Sequence, residues 1–550
     1  MKRIKRRAVT SGLLLTAAAC ASGESAPPPD DSITMANVAV VPAPPEASAL
    51  PASVTPQPPP EPEPVFTATP QIRALWIDAF HDGIKTPTQV DTLVRSAHAA
   101  GVNTLIVQVR RRGDAYYSRT SEPRVEDPTL QLGFDPLQAL IDRARASRPR
   151  LEVHAWIATV ALWKEQRRPP ANPDHTFNRH GPDAPSEDNW ISLNERGQAW
   201  DTENYMLDPG HPAAARYVSS VAEELARNYT LDGIHLDLVR YAGVQWGYNP
   251  TSLARFNTRY NPTGHPGPLP GQNDARWQQW RRDQVTALVR RVYLDCLAVR
   301  PAIKVSAAVI GWGNGPVNDS TWRATSAYRN VFQDWKTWLE DGIVDLVLPM
   351  NYDNEANPEQ REWFDRWIAW ERDHQGKRQI AAGVGLFLNT PEAGLAQIRR
   401  ALAPTRGGAR LAGAALYSYA VTNAPAPRSE TPATPNEQFF SALSGADPAV
   451  ADPPFAGVAP VPAMPWKDQP GAFLRGVATG GSGGSAVLLD GATVRLDGPT
   501  RTSLLTDGNG YFGAADLVPG EYTVTVVQSG VAGASVRVSL PPGHVTTLDF

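Results

Sequence analysis

The feature that most constrains this chain is an alternation of short apolar runs with helical patterns. The runs cover residues 73–79, 104–109, 151–157, 233–239, 304–310, 344–350, 380–386 and 413–419. Most are almost continuously apolar, as strands are when both faces of their sheet are covered. Between them lie amphipathic stretches such as 87–100, 136–146, 213–228 and 277–299. Eight strands separated by helices predict an α/β chain closed into a (β/α)8 TIM barrel rather than an open doubly wound sheet. No glycine-rich phosphate fingerprint follows the first run, which argues against a nucleotide-binding fold.

A chain of 550 residues exceeds one domain. Residues 1–20 read as a signal segment, with basic Lys2, Arg3, Lys5, Arg6 and Arg7 ahead of an apolar stretch too short to span a bilayer. Ala17-Ala18-Ala19-Cys20 resembles a lipobox, with Ala17 where Leu is usual, so Cys20 is expected to carry lipid. The alternative is plain secretion. Residues 21–70 are rich in Pro, Ala, Ser and Glu and read as a disordered tether. The barrel is assigned to 71–423, a Pro/Ala-rich linker to 424–471, and a small antiparallel β-sandwich to 472–550. Within the last segment, 507–512 and 517–522 resemble the turn and strand signatures of carboxypeptidase-regulatory-like modules. An exported envelope lipoprotein is expected, in the outer membrane if the host is Gram-negative.

With a net charge of −4 the chain shows nothing basic enough to grip nucleic acid. The chain is expected to be a monomer with no cofactor and no metal. Its 16 tryptophans offer flat faces for sugar rings, with core packing the equal alternative. Besides Cys20, Cys296 sits on an amphipathic pattern and reads as a buried apolar thiol.

Barrel enzymes carry their reactive groups at the C-terminal ends of the strands. The fourth run, Asp232-Gly233-Ile234-His235-Leu236-Asp237-Leu238-Val239-Arg240-Tyr241, is the most informative. His235 and Asp237 share one face, with Asp237 nearer the mouth. A carboxylate leaving an apolar strand is costly unless paired or functional, and Arg240 or His235 could pair it. Asp232, at the other end, reads as a turn residue. The loop at 158–208 is long and rich in Pro, Asn, Asp and Trp, and is expected to wall a substrate cleft.

Arg73-Ala74-Leu75-Trp76, Gln108-Val109-Arg110, Gly113-Asp114-Ala115-Tyr116-Tyr117, His154-Ala155-Trp156, the fourth run with Arg240-Tyr241, and Pro349-Met350-Asn351-Tyr352 together resemble the glycosyl-hydrolase-like 10 family. The resemblance implies a glycosidase barrel related to amylases and chitinases. The family includes bacterial envelope lipoproteins acting on peptidoglycan glycan strands. Glycan strands or another envelope polysaccharide are thus the expected partner, beside the membrane that holds the lipid anchor.

Sugar cleavage generally needs two carboxyl groups. The resemblance to amylase-like barrels makes Asp237 the nucleophile. Chitinases carry Glu two residues later, where this chain has Val239. Asp353 is the first choice for the acid, with Glu355, Asp114 and Asp78 as alternatives. The acid must have its pKa raised by burial or a neighbouring carboxylate. Arg110, Asp114, His154, His235, Arg240 and Asn351 are expected to hold carboxylates or contact sugar, and Trp156, Trp312 and Tyr352 to form a sugar platform. Core or loop roles are the ordinary alternative for each. Two rival functions remain open: a non-catalytic glycan-binding lipoprotein, and a metal-dependent deacetylase using His154, His235 and Asp237.

Overall fold

The computed structural model describes residues 65–261, 269–424, 434–480, 486–528 and 531–550. Cys20, almost all of the expected tether and residues 425–433 of the expected linker lie outside them. Among the described residues no helix is long and apolar enough to cross a membrane.

Eight parallel strands close a barrel: β1 (Ile72–Ile77), β2 (Thr104–Arg110), β3 (Glu152–Ala158), β4 (Gly233–Asp237), β5 (Lys304–Ile310), β6 (Leu346–Asn351), β7 (Gln379–Gly385) and β8 (Gly413–Tyr417). The order round the barrel follows the chain, with β8 returning to β1. At that seam Ile72 pairs with Gly413 and Leu75 with Leu416. A Cβ on Gly413 would lie 1.9 Å from the Ile72 carbonyl oxygen, so only glycine admits this approach. β4 and β8 each end two residues earlier than the apolar pattern predicts. Leu238, just past β4, takes a left-handed φ of 52°, which breaks the ladder and turns the chain at the mouth.

The period of two divides each strand. Ala74, Trp76, Ile106, Trp156, Ala308, Leu348, Ala381 and Ala415 fill the barrel, while alternate residues pack against the helices. The helices of the outer layer include α1 (Pro87–Ala99), α2 (Pro136–Ala146), α3 (Pro212–Asn228), α4 (Pro250–Tyr260), α5 (Ala275–Val299), α6 (Trp335–Glu340), α7 (Pro358–Asp373) and α8 (Pro391–Leu402). Thr86, Asp135, Asn249, Asn357 and Thr390 each cap a helix whose next residue is proline, a start signal that also fixes the exit of the preceding loop. Half of the 16 tryptophans lie on helices round the barrel. Trp277 stacks on Trp280 and Trp322 on Trp370, and Trp335, Trp338 and Trp367 are fully buried. Cys296 is buried and free, as expected.

The expected linker folds onto the barrel. Its first part forms α9 (Asn436–Ser444), which buries Phe439, Phe440 and Leu443. Met464 and Trp466 then join the interior cluster at the barrel's N-terminal end. Arg73 donates to the carbonyls of Phe455, Ala456 and Gly457 at 2.6, 2.9 and 2.7 Å. Fully buried Asp345 accepts from Trp466 Nε1 at 2.7 Å and pairs with Lys467 at 3.0 Å. The Pro/Ala composition hid widely spaced apolar anchors that plug the barrel floor.

The C-terminal module is a mainly antiparallel sandwich with one parallel strand pair. β9 (Ala472–Val477) lies between β12 (Tyr511–Leu517) and β15 (Val545–Thr547), opposite a sheet ordered β11-β10-β13-β14. Those four strands are β10 (Thr493–Asp497), β11 (Thr502–Leu505), β13 (Gly520–Gln528) and β14 (Val531–Leu540). The module docks on two barrel helices and on the turn before β7 through ion pairs: Arg475–Asp295 at 2.8 Å, Arg255–Asp490 at 2.6 Å and Arg378–Asp516 at 2.6 Å. A 960 Å³ cleft runs between this module and helices α5 and α6, away from the strands' C-terminal ends.

Arg73→Ala would leave three buried or half-buried carbonyls without their donor. Urea unfolding should show a loss of about 3 kcal/mol, and no loss would mean that the floor segment adds little to barrel stability.

Candidate active site

Asp237 closes β4 and lies at the floor of the mouth, touched by solvent but ringed by protein. Its two oxygens are held separately. Oδ2 accepts from Trp156 Nε1 at 3.1 Å, and Oδ1 accepts from the Leu238 N–H at 2.7 Å. The left-handed turn at Leu238 aims that N–H. Burial raises the Asp237 pKa, opposed by the nearby Arg240 guanidinium and the two hydrogen bonds. This is a carboxyl fixed in orientation and biased toward keeping a proton.

Aromatic rings surround it. Tyr417 from β8 packs edge-on to Trp156 at 6.4 Å and stacks with Tyr352 at 5.7 Å, and Phe387 meets both tyrosines edge-on. Burial, then the charges of Asp78 and Asp237, raise the Tyr417 pKa, so Tyr417 lies in the field of both carboxyls. Asp78 follows β1. Its Oδ1 accepts from the Phe80 and His81 N–H groups at 2.9 and 3.0 Å, and His81 Nδ1 lies 2.9 Å away. Arg240 stands at the rim with its guanidinium 5.5 Å from the ring centre of Trp312, which is 41% exposed. Thus Asp237, Trp156, Tyr352, Arg240 and Trp312, all singled out in the sequence, are gathered at one mouth, and Asp78 joins them.

The remaining expected residues go elsewhere. Asp353 does not share Asp237's setting. Tyr352 turns to the mouth, whereas Asn351 faces α7, where its Nδ2 donates to both oxygens of Glu371 at 3.0 and 3.2 Å. Asp353 is buried beside that pair. Its Oδ2 has no partner, and its charge acts on Glu371. The alternation of side chains along the strand end, invisible when each residue is weighed singly, separates Tyr352 from its two neighbours. Burial lifts Asp353 to about 7 and Glu371 to about 8. Glu371 escaped the sequence reading because it sits in the charged run Trp370-Glu371-Arg372-Asp373, which looks like a solvated helix end.

The two histidines stack below the mouth. His235 Nε2 accepts from Trp76 Nε1 at 3.1 Å and its Nδ1 meets Ser306 Oγ at 2.9 Å; burial drives its pKa well below the usual value, so the ring is neutral. His154 lies a layer lower, 3.3 Å from Glu152, which Lys304 also pairs. Both are core histidines, and they do not converge with Asp237 on one ion. Buried Arg110 pairs with Glu122 at 2.8 Å and donates to the Ala158 carbonyl at 2.5 Å, tying the β2 and β3 loops. Asp114 Oδ1 accepts from the Arg112 N–H at 3.0 Å and fixes the β2 loop. Glu355 is paired with Arg400 at 2.7 Å. The long loop after β3 meets the β2 loop, where Asn204 Oδ1 accepts from Arg112 Nε at 3.0 Å.

Comparisons with known proteins agree with this architecture. The profile of the family described as Glycosyl hydrolase-like 10 matches residues 71–392, and that of the Carboxypeptidase regulatory-like domain matches 474–550. The chain is 24% identical over 301 residues to the Glycosyl hydrolase YngK of Bacillus subtilis, covering 51% of this chain and 54% of that protein. It is 24% identical over 270 residues to the Glycosyl hydrolase DigH of Escherichia coli, covering 46% and 55%. The chain thus spans about half the length of the curated relatives it matches. Among solved structures, the glycoside hydrolase domain of PgaB (BpsB) from Bordetella bronchiseptica aligns with a TM-score of 0.46 at 15% identity, over 64% of this chain and 94% of that one.

The Asp353–Glu371 pair gives a pH signature. Because burial raises both carboxyls, the folded protein binds more protons than the unfolded chain between about pH 4 and 8, and stability falls as pH rises through that window. Glu371→Gln should therefore stabilise by about 1–2 kcal/mol at pH 8.5, with the gain vanishing below pH 5. Thermal unfolding across pH measures this, and a pH-independent difference would refute it.

Proposed function

This chain belongs to the glycosyl hydrolase-like 10 family, and from that premise we propose that it hydrolyses glycosidic bonds with Asp237 as the proton-transferring carboxyl. One observation carries the reading. Asp237 is the mouth residue whose burial raises its pKa while two fixed donors hold its orientation. A glycosidic oxygen leaves as an alcohol only if it is protonated as the bond breaks, so the donor must still hold its proton near neutral pH. This differs from the nucleophile role that position on the fourth strand suggests.

The second carboxyl in this reading is Asp78. Its Oδ1 accepts two backbone N–H groups and lies against the His81 ring, and Tyr417 lies in the field of both Asp78 and Asp237. An ionised Asp78 would stabilise the developing positive charge at the anomeric carbon, or activate water against it. Trp312, Tyr352, Tyr417 and Phe387 supply ring faces for the sugars on either side of the scissile bond.

The substrate we favour is a peptidoglycan glycan strand or a related envelope polysaccharide. The lipobox-like Ala17-Ala18-Ala19-Cys20 and the Pro-rich stretch behind it support an envelope setting. In that reading Cys20 carries lipid, and Cys20→Ser should shift the protein from the membrane fraction to the soluble one. Unchanged fractionation would dismiss the anchor.

The roles are separable by leaving group. Asp237→Asn should lower kcat on glycan strands by about 10²–10⁴-fold. On aryl glycosides with a dinitrophenolate leaving group, which needs no proton, most of that loss should disappear. Asp78→Asn should depress both substrates alike. If Asp237→Asn is equally crippled on both, Asp237 is the nucleophile and the acid lies elsewhere.

A further inference from the structure

On the β1–β2 side of the mouth, basic side chains crowd one exposed ring. The guanidinium carbons of Arg111 and Arg112 each lie 5.4 Å from the ring centre of Phe80, which is 50% exposed. Each guanidinium keeps a buried N–H with no partner, Nε in Arg111 and Nη1 in Arg112. Lys164 stands close enough for both arginines to depress its pKa, after burial. Burial, then Arg111, likewise pulls Arg112 down to about 10. The countercharges are incomplete. Asp114 and Glu203 act on Arg112 from a distance, but Asp114 spends an oxygen on the Arg112 backbone N–H, and Asn204, which takes Arg112 Nε, is neutral.

Holding like charges together around unpaired donors costs free energy that an arriving anion would recover. The place is also specific. Phe80 donates its N–H to Asp78, so the cluster adjoins a carboxyl of the proposed reaction centre. We propose that Arg111 and Arg112 form an anion subsite over Phe80 that takes a carboxylate carried by a sugar of the substrate strand. A carboxylate is favoured over a doubly charged phosphate because Asp114 and Glu203 already offset part of the positive field. The proposal rests on the hydrolase reading for its location but not for its test.

The test uses binding to the full chain carrying Asp237→Asn, by calorimetry. The probes are peptidoglycan glycan strands freed of stem peptides, whose lactyl ethers end in carboxylates, and the same strands after carbodiimide coupling to methylamine. The native strands should bind at least about tenfold more tightly than the amidated ones. That preference should shrink with salt and vanish when Arg111→Gln and Arg112→Gln are added, while Arg111→Lys with Arg112→Lys, which keeps the charges, should retain part of it. Equal binding of both strands, or a preference that survives the double glutamine variant with its thermal unfolding unchanged, would overturn the subsite. Inorganic phosphate that competes at lower concentration than acetate would overturn the assignment to a sugar acid. A wild type that shows the preference without cleaving any strand would sink the hydrolase reading and leave the subsite standing.

Discussion

Where β8 meets β1, a glycine lies against a carbonyl so closely that no side chain fits between them. That seam turns eight strands into a ring, and the ring satisfies every strand edge with a neighbour. Its consequence for chemistry is directional. Parallel strands deliver all their C-terminal ends to one face, so Asp78, Asp237, Tyr352 and Tyr417, far apart in the chain, meet at one mouth. The opposite face is left open by the same geometry, and the segment carrying Met464 and Trp466 fills it.

The parts of this arrangement that were legible in the sequence are those that follow from periodicity. Continuous apolar runs marked the strands, and amphipathic stretches marked helices such as those beginning at Pro87 and Pro136. Asp237 stood out because a carboxylate on an apolar strand has few structural excuses. What was not legible depends on direction rather than on residue type. Asn351, Tyr352 and Asp353 are adjacent, yet the middle one faces the mouth while its neighbours lie with Glu371. The floor segment was missed for a different reason. Its anchors are spaced irregularly among Pro and Ala, so no period announces them. His154 and His235 show a third limit, since a polar residue on an inward face can belong to any layer of the barrel.

The layers themselves explain how a polar barrel interior remains stable. At the bottom, Glu152 pairs with Lys304, which offsets the cost of burying its charge, and His154 lies 3.3 Å from the same carboxylate. In the middle, neutral His235 spends both ring nitrogens on Trp76 and Ser306, so no charge needs balancing. At the top, Asp237 is held by weaker, neutral donors and by Arg240 alone among the cations acting on it. The interior therefore passes from a charge paired with its opposite at the bottom to a carboxyl with the least compensation at the mouth.

This grading bears on why Trp156 matters more than its apolar bulk suggests. Its indole fills the interior with Trp76 and Ala308, and the same ring donates to Asp237. A cationic donor such as lysine or arginine at that position would favour the ionised form of Asp237. A residue with no donor would leave Oδ2 unheld, since the Leu238 N–H fixes only Oδ1. A neutral N–H on a rigid, buried ring satisfies both demands: it orients the carboxyl without settling its charge. Packing and carboxyl orientation at this mouth are thus joined in one side chain, because the barrel that seats Trp156 also holds Asp237 Oδ2.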